Sequence, residues 1–250
     1  MNNKRQKIIH NLIPVFSIVV LIALWGILSV LAGDGVISSP KQALIALIQV
    51  FSYGEFYFAL GGTLLRTLIA FVISFSFAML LAFFSKRSIK FQKAMSPIIS
   101  VMRTLPTVAV VLVLLFWTNN QIAPVVVTSL IVLPTSYVNV YNSLETVDKE
   151  ELEMCNAFGV SKKDIVTKLY LPKTAPSMLM AIGTGLCLNL KLMVAAEVLA
   201  FTANSIGYYL KISAEYDVPK MLALVVVTVI IGLIIEGVFT LLSKKAGKWQ

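Results

Sequence analysis

The sequence predicts an all-α polytopic membrane protein with six transmembrane helices and both termini in the cytoplasm. Hydrophobic residues make up 58% of the 250 residues and charged residues only 13%, and the mean hydropathy is +0.87. This balance is typical of integral membrane proteins. Several apolar runs are long enough to cross a hydrocarbon core of roughly 30 Å at about 1.5 Å per helical residue. Cationic residues cluster beside these runs, which is the pattern that sets membrane topology.

The first predicted span covers about residues 12–32 and follows a basic segment, residues 1–11, that we place in the cytoplasm. A cleavable signal peptide is the alternative, but the apolar run exceeds the roughly 7 to 15 residues of a signal core, so we expect the span to be retained. Residues 41–51 are too short to span and carry apolar residues at helical spacing. This pattern predicts a helix at the outer membrane interface. The second span, residues 61–84, returns the chain to the cytoplasm.

The third and fourth spans follow a short basic loop, residues 85–93, whose four cations place it inside the cell. The third span covers residues 97–117 and contains Pro106, which should kink or break the helix near its inner half. The fourth span covers residues 122–140. Prolines in these spans are candidate hinges for alternating access, although fixed kinks are the commoner use.

The last two spans complete the predicted topology. The fifth begins after Pro176 and ends near Ala200, and the sixth runs from about residue 218 or 221 to Leu242. Of the 21 Lys and Arg residues, 15 are assigned to the cytoplasmic side and only three to the outer side, which favours six spans with both termini inside. No hydrophilic stretch is long enough for a second domain, so we predict one membrane domain over residues 1–250.

The main polar interruption of the chain is the stretch 142–173, which we call the elbow loop. Six charged side chains precede Gly159 and five follow it, and such a density must lie in water or against another protein. Residues Glu150–Phe158 have good helix-forming composition, and Gly159 is a natural C-terminal stop. Ser161 can cap a second helix through Leu169, which we expect to end at Leu171-Pro172. The sequence therefore predicts two short helices joined at a glycine, between the fourth and fifth spans.

The elbow loop resembles the cytoplasmic EAA loop in membrane subunits of binding-protein-dependent ABC importers. That motif reads Glu-Ala-Ala, three residues, Gly, nine residues, Ile-x-Leu-Pro. Glu, Gly, Leu and Pro keep their spacing here, whereas both alanines and the isoleucine are replaced. The resemblance implies docking on a separate ATPase subunit. The residues that it assigns to this contact are Glu153, Ala157, Phe158, Gly159, Leu171 and Pro172. On loop chemistry alone, a solvated connector between two spans is the alternative.

A wider resemblance covers most of the chain from Ser38 onward. It is carried by Ser39-Pro40, Thr63-Leu64-Leu65-Arg66, Arg103-Thr104-Leu105-Pro106 and Ala195-Ala196-Glu197 followed by Gly207, and it is to ABC permeases of the nitrate, sulfonate and taurine type. Their group also includes permeases for bicarbonate and for thiamine precursors. The glycine usual after Phe116-Trp117 is missing here.

The wider resemblance implies a particular assembly in the bacterial cytoplasmic (inner) membrane. Two permease copies, or this chain and a similar permease, would pair with two ATPase subunits that bind ATP and Mg²⁺, and an extracytoplasmic solute-binding protein would deliver the solute. The solute would be a small anion such as nitrate, a sulfonate or bicarbonate, or a vitamin precursor. Membrane lipid surrounds such a complex, and nucleic acid has no part in it.

The chain itself lacks the residues that an energy-converting or catalytic centre needs. No G-x-x-x-x-G-K-[ST] phosphate loop is present, and His10 is the only histidine, which argues against a His-based metal site or a Ser-His-Asp triad. We therefore expect no catalytic residues, no metal and no cofactor in this chain, with ATP hydrolysis in the partner. An ATP-independent secondary transporter or channel is the alternative function, and a membrane enzyme is a weaker one.

Charged and amide side chains inside the predicted spans are the candidates for a substrate path. A charge at the middle of a membrane helix costs about 2.5 to 3.5 kcal/mol on insertion scales, so each needs a partner or a wet cavity. The candidates are Arg66, Arg103, Asn139, Asn189, Lys191 and Glu197. Structural alternatives are that Arg66 and Glu197 reach an interface, that Arg103 fixes a broken helix and that the asparagines join helices. Lys191 and Glu197 are six positions apart, so we do not expect them to pair.

Overall fold

The computed structural model describes residues 16–17, 19–31 and 38–247, and this part of the chain is helical without any β-strand. The all-α prediction is therefore confirmed there. The predicted N-terminal segment, residues 1–11, and part of the first predicted span lie outside the described residues. The helices, in chain order, are α1 (Val19–Leu31), α2 (Pro40–Val50), α3 (Gly54–Arg87), α4 (Ile89–Thr104), α5 (Thr107–Trp117), α6 (Ala123–Leu144), α7 (Lys149–Ala157), α8 (Lys162–Asp164), α9 (Leu171–Ala200), α10 (Ile206–Tyr216) and α11 (Val218–Gly247).

Four helical segments in the described residues are long and apolar enough to cross a membrane: α3, α6, the continuous stretch Lys162–Ala200, and α11. Helices α4 and α5 together pass the same test as a broken pair, which raises the number to five. Helix α1 lies within the first predicted span, but its 13 described residues are too few to cross a bilayer alone. The prediction of six spans therefore stays a prediction.

The predicted break at Pro106 is confirmed. Helices α4 and α5 are bent by 91° at the two residues between them, Leu105 and Pro106. Leu105 is extended, with φ −64° and ψ 125°, because the proline ring disfavours helical geometry in the residue before it. Pro106 also has no N–H to continue the helical hydrogen bonds, so α5 starts as a new helix.

The basic segment 85–93 is helical rather than the loop that the sequence predicts. Only Ser88 separates α3 from α4, and its hydroxyl accepts a hydrogen bond from the Phe91 N–H at 3.4 Å. Lys and Arg are good helix formers, so a single capping serine is sufficient to end one helix and begin the next. The segment between the fifth and sixth predicted spans likewise contains a helix, α10.

The second helix of the elbow loop does not end at Leu171-Pro172, so that part of the prediction is wrong. A π-helical segment, Ile165–Tyr170, follows α8 and leads directly into α9, which also passes through Pro176. Pro172 stands within the first two positions of α9, where a missing N–H is tolerated. The wider π turn before it is a known way for a helix to absorb such an irregularity. The helix of the fifth predicted span therefore begins inside the elbow loop.

The chain divides into two compact units, one of residues 1–57 with 209–227 and the other of residues 58–208 with 228–250. The larger unit has a core between α3, α6 and α9, which includes Phe71, Phe75 and Val132. Gly183 and Gly185 permit close packing of α9 against neighbouring helices. A Cβ at Gly183 would lie 2.5 Å from the Phe239 Cβ, and one at Gly185 would lie 2.8 Å from the Phe71 ring.

Candidate functional site: the elbow loop and the polar groups of the spans

The first helix of the elbow loop, α7, has well-defined ends. Asp148 caps its start in a capping box, in which the Asp148 N–H donates to the Glu151 carboxylate at 3.3 Å. At the other end Gly159 has φ 67°, a left-handed conformation that glycine adopts without strain. The Val160 N–H donates to the Cys155 carbonyl and the Gly159 N–H to the Asn156 carbonyl, which is the Schellman arrangement. The predicted glycine stop is confirmed.

A second cap follows at once and fixes the turn between the two helices. The Asp164 N–H donates to the Ser161 hydroxyl at 3.1 Å, as the sequence predicts. The Ser161 hydroxyl in turn donates to the Asp164 carboxylate at 2.8 Å. Only three residues, Phe158, Gly159 and Val160, therefore separate α7 from this cap. Such a short, hydrogen-bonded connection holds the turn in one conformation.

The base of the elbow loop is joined to the spanning helices by ion pairs. Lys173 of α9 binds Glu151, and its ammonium lies 3.7 Å from the Asp148 carboxylate. The Lys86 ammonium at the end of α3 lies 2.7 Å from the Glu145 carboxylate. Hydrogen bonds from these lysines lower the pKa of Glu151 and of Glu145 below its ordinary value. Both carboxylates are charged at neutral pH, and because their pKa is lowered the ion pairs persist further into the acid range before protonation removes them.

The tip of the elbow loop is apolar and open to solvent. Phe158 is 79% exposed, and Met154 and Leu171 are also exposed. Glu153, Ala157 and Gly159 lie beside Phe158 in the exposed part of α7 and the turn, whereas Pro172 is partly buried. The predicted coupling residues thus gather at the tip, apart from Leu171 and Pro172, which lie at the start of α9. An exposed phenylalanine on a charged, capped loop is suited to docking into an apolar pocket of a partner.

Arg66 and Glu197 form a buried ion pair between α3 and α9. The Arg66 Nη1 lies 2.6 Å from the Glu197 Oε1, and the Glu197 side chain is fully buried. Thr63 donates to the other carboxylate oxygen at 2.8 Å, and the Gly207 N–H also points to it at 3.4 Å. Glu197 is therefore buried within the protein and paired across helices. Helical spacing relates Glu197 only to residues of its own helix, such as Lys191, and so does not reveal this pairing across helices.

The same arginine holds the chain that follows α9. Its second terminal nitrogen donates to the Asn204 carbonyl at 3.2 Å and to the Gln121 side-chain oxygen at 3.2 Å. A Cβ at Gly207 would lie 2.4 Å from the Glu197 Cβ, so no larger residue fits there without a shift. These contacts explain why the Arg66, Glu197 and Gly207 positions noted in the sequence belong together. They give Arg66 and Glu197 a structural role that does not require substrate.

Asn139 lines a groove of about 360 Å³ between α6 and α9. The other polar groups of this groove are Asn142, Ser143, Ser177 and Thr184. Lys191 lies on the same face of α9 as Ser177 and Thr184, because these residues are seven positions apart, or about two helical turns. Its side chain is exposed and makes no ion pair within the described residues. Ser177, Thr184 and Lys191 therefore form a polar face of α9, which is otherwise mostly apolar.

The two remaining candidates are in different surroundings. Asn189 is fully buried and donates to the Thr67 carbonyl of α3 at 3.2 Å, which fits the interpretation that it joins helices. Arg103 is exposed in the last turn of α4, beside the break at Pro106, where a cation is favourable at a helix C-terminus. Among the described residues there is no group of three or more His, Cys, Asp or Glu side chains that could hold a metal ion.

Comparisons with known proteins agree with this arrangement. Residues 74–248 match the family model described as "Binding-protein-dependent transport system inner membrane component". The putative aliphatic sulfonates transport permease SsuC of Bacillus subtilis is 23% identical over 92% of this chain and 85% of that protein. The formylaminopyrimidine transport permease ThiX of Halalkalibacterium halodurans is 24% identical over 88% of this chain and 89% of its own length.

A solved structure shares the fold. A chain of the MetNI methionine ABC transporter in an inward-facing conformation superposes with a TM-score of 0.64 at 18% identity, over 75% of this chain and 94% of that one. The family match covers more than half of the sequence and includes the elbow loop and both spanning helices that flank it. The chain is a polytopic membrane permease and belongs to the family of binding-protein-dependent transport system inner membrane components.

Proposed function

We propose that this chain is the importer subunit through which ATP hydrolysis in a separate ATPase drives solute movement, and that the elbow loop is the mechanical contact. The supporting observation is the geometry of that loop, with a rigid base tied to α3 and α9 and an exposed apolar tip at Phe158. Two ATPase subunits carrying ATP and Mg²⁺ would act on two such tips. This chain itself needs no cofactor for that role and carries no catalytic residue.

The described geometry supports a lever mechanism. The helical run Lys162–Ala200 is continuous from the elbow loop into the membrane, so a push on the tip is transmitted along one element. Lys173 joins the start of α7 to that run, which limits bending between them. Closure of the ATPases would rotate the run and expose the substrate path alternately to each side. Pro172 and Leu171 lie near the point where such a rotation enters the membrane helix.

We further propose that the substrate path follows the polar face of α9 and the groove at Asn139. Lipid would not solvate the exposed Lys191 side chain within the span, so a water-filled path or a second permease copy must face it. A lysine near the path favours an anionic solute over a cationic one, in line with the name of the SsuC relative. A vitamin precursor is the second class, in line with the name of ThiX. Arg103 belongs to this path only if the break at Pro106 faces it.

We also propose a topology, an assembly and a cellular location for the chain. We infer six spans with both termini in the cytoplasm, a bacterial inner-membrane location, pairing with a second copy or a similar permease, and delivery of solute by an extracytoplasmic binding protein. The family description names the binding-protein-dependent transport system and the inner membrane.

The docking role is tested with two substitutions at Gly159. We expect Gly159→Val to abolish co-purification of the ATPase, because φ 67° costs a non-glycine residue about 1 to 2 kcal/mol, and a β-branched one more, so the turn must change. Gly159→Asn is the matched control and should retain the complex, since asparagine tolerates this conformation. Steric crowding would not explain the loss of the complex in Gly159→Val, because a Cβ at Gly159 meets nothing within 4 Å.

Removal of the Phe158 ring tests the docking role independently of the turn at Gly159. Phe158→Ala keeps the turn and should weaken ATPase association by about tenfold or more, as for a central aromatic contact. Membrane insertion of all three variants should be unchanged. Normal co-purification and solute uptake in both Gly159→Val and Phe158→Ala would contradict the docking role.

A further inference from the structure

A second cavity, of about 300 Å³, lies between α2 and the start of α11 in the smaller unit. None of the residues that line it belongs to the elbow loop or to α9. Its polar lining comes from Gln42, Gln49, Tyr53, Asp217 and Lys220. Apolar side chains, including Ile45 and Val50, complete the wall. The volume is at the lower end of the range for ligand pockets, so the cavity suits a small polar group.

Lys220 is the chemical centre of this cavity. Its ammonium lies 5.3 Å from the ring centroid of Tyr53 and 5.7 Å from that of Tyr209, within reach of a cation–π interaction. It forms no ion pair with any residue in the described part of the chain. Asp217 accepts a hydrogen bond from the Lys220 N–H at 3.1 Å and so caps α11 through one oxygen. The cavity thus offers an unpaired cation and a carboxylate that retains acceptor capacity.

Helix α2 carries an exposed apolar face next to the residues that line the cavity. At about 100° per residue, Gln42 and Gln49 share the face that lines the cavity, Ile45 lies at its edge, and Leu44 and Ile48 lie further round. Ile45 is 47% exposed, whereas Leu44 and Ile48 are 59% and 65% exposed. A molecule with a polar end in the cavity can therefore lay an apolar tail along this helix without leaving the surface.

Tyrosines are concentrated in the smaller unit, as is typical of a membrane boundary. Four of the eight tyrosines of the chain, Tyr53, Tyr57, Tyr209 and Tyr216, lie in the short segments that build the smaller unit. Tyr57 and Tyr216 are exposed. Tyrosine is enriched where a membrane protein crosses from hydrocarbon to water. The smaller unit therefore combines a polar cavity, tyrosines and an exposed apolar helix face, which suit the head group, the interfacial region and the chains of a lipid respectively.

We propose that this cavity is a phospholipid site. Lys220 and the side-chain amides of Gln42 and Gln49 bind the phosphate, and Asp217 accepts a hydrogen bond from a head group that ends in an N–H or O–H donor, such as ethanolamine. The acyl chains lie along Leu44 and Ile48. The inference rests on the membrane placement in the proposed function but not on the ATPase contact or on the solute. A free phosphorylated or anionic solute shares the head-group chemistry, so the test separates the two sources.

The test measures lipid binding to the purified full chain by native mass spectrometry. We expect phosphatidylethanolamine to bind about tenfold more weakly to Lys220→Met, because one charge-assisted hydrogen-bonding group is lost. Lys211→Met is the matched control, since Lys211 belongs to the same unit but lies 3.8 Å from Glu215 outside the cavity, and it should bind normally. Asp217→Asn keeps the helix cap and should reduce the preference for phosphatidylethanolamine over phosphatidylcholine, whose head group has no N–H donor.

Competition distinguishes the lipid from a free solute. Inorganic phosphate and the soluble head group glycerophosphoethanolamine should displace the lipid only at far higher concentration, because they lack the chains. Equal lipid binding by the original chain and Lys220→Met would overturn the proposal. Displacement by either soluble probe at concentrations similar to the lipid would also overturn it, and would assign the cavity to a soluble anion. None of these outcomes depends on ATPase association or uptake.

Discussion

At the scale of single residues, Glu197 is the best-defined polar group of the membrane region. Its side chain is fully buried and contacts Arg66, Thr63 and the Gly207 N–H. Burying a carboxylate is costly, and the cost is offset only when the partner cation and further hydrogen bonds are present. Removal of Arg66 alone would leave that charge without its cation. The pair is therefore expected to matter more for folding than any exposed pair of the chain.

We expect Arg66→Ala to lower the free energy of unfolding by about 3 to 5 kcal/mol, since it leaves the fully buried Glu197 carboxylate without its cation. Glu197→Ala should lower it less, because Arg66 is partly exposed and keeps its hydrogen bonds to Gln121 and Asn204. The double substitution should cost less than the sum of the two. The exposed pair of Lys168 and Asp164 is the matched control, and Lys168→Ala should leave the free energy of unfolding almost unchanged. The measurement is a double-mutant cycle on unfolding of the purified chain. Small, additive effects of Arg66→Ala and Glu197→Ala would mean that the two side chains do not depend on each other.

The sequence is sufficient to identify Arg66, Glu197 and Gly207 as unusual residues of the spans, but it does not predict which residues they contact. Arg66, Glu197 and Gly207 are visible as charges or a glycine in apolar surroundings, and intramembrane charges must be paired or hydrated. Helical spacing correctly excludes a Lys191–Glu197 pair along α9. It cannot tell which other helix packs there, because that depends on tertiary contacts over more than 100 residues of chain. The Arg66–Glu197 pair, 131 residues apart, is such a contact.

At the scale of elements, capping residues predicted correctly where helices begin or end, whereas Pro172 and Pro176 did not predict correctly where a helix is interrupted. Gly159 and Ser161 act through neighbours within a few residues, and the structure shows both the predicted stop and the predicted second cap. Pro172 and Pro176 were expected to separate the elbow loop from the fifth span. They do not, because a proline near a helix start loses no hydrogen bond and a π segment accommodates the local change.

The break between α4 and α5 allows a direct test of proline as its cause. In Pro106→Ala the N–H returns, so we expect the helix to continue and the 91° bend to open. Spin labels at Ser96→Cys and Val113→Cys, with Cys155 and Cys187 replaced, should then move apart towards about 25 Å, the length of 17 residues of straight helix. Pro97→Ala, inside α4, is the control and should leave the distance unchanged. An unchanged distance in Pro106→Ala would assign the bend to tertiary packing instead.

At the scale of the whole molecule, family membership and topology are linked by the elbow loop. An ATPase is a cytoplasmic partner, so the loop has to face the cytoplasm for the importer assignment to hold. The positive charges predict that orientation, and the long helices on either side of the loop, α6 and Lys162–Ala200, are both able to cross a membrane. Substrate identity, by contrast, depends on a few side chains at the path and on a second permease copy, and the sequence carries no equally strong pattern for it.

The orientation is tested by labelling single cysteines in intact cells with a membrane-impermeant maleimide, after replacement of Cys155 and Cys187. Ser52→Cys and Glu215→Cys lie at the predicted outer ends of helices and should be labelled from outside. Lys90→Cys and Phe158→Cys lie on the predicted inner side and should be labelled only after the cells are permeabilised. All four positions are exposed in the structure, so a difference in labelling reports the side of the membrane rather than burial. External labelling of Phe158→Cys would place the elbow loop outside the cell, where no ATPase could reach it, and the proposed coupling mechanism would fail.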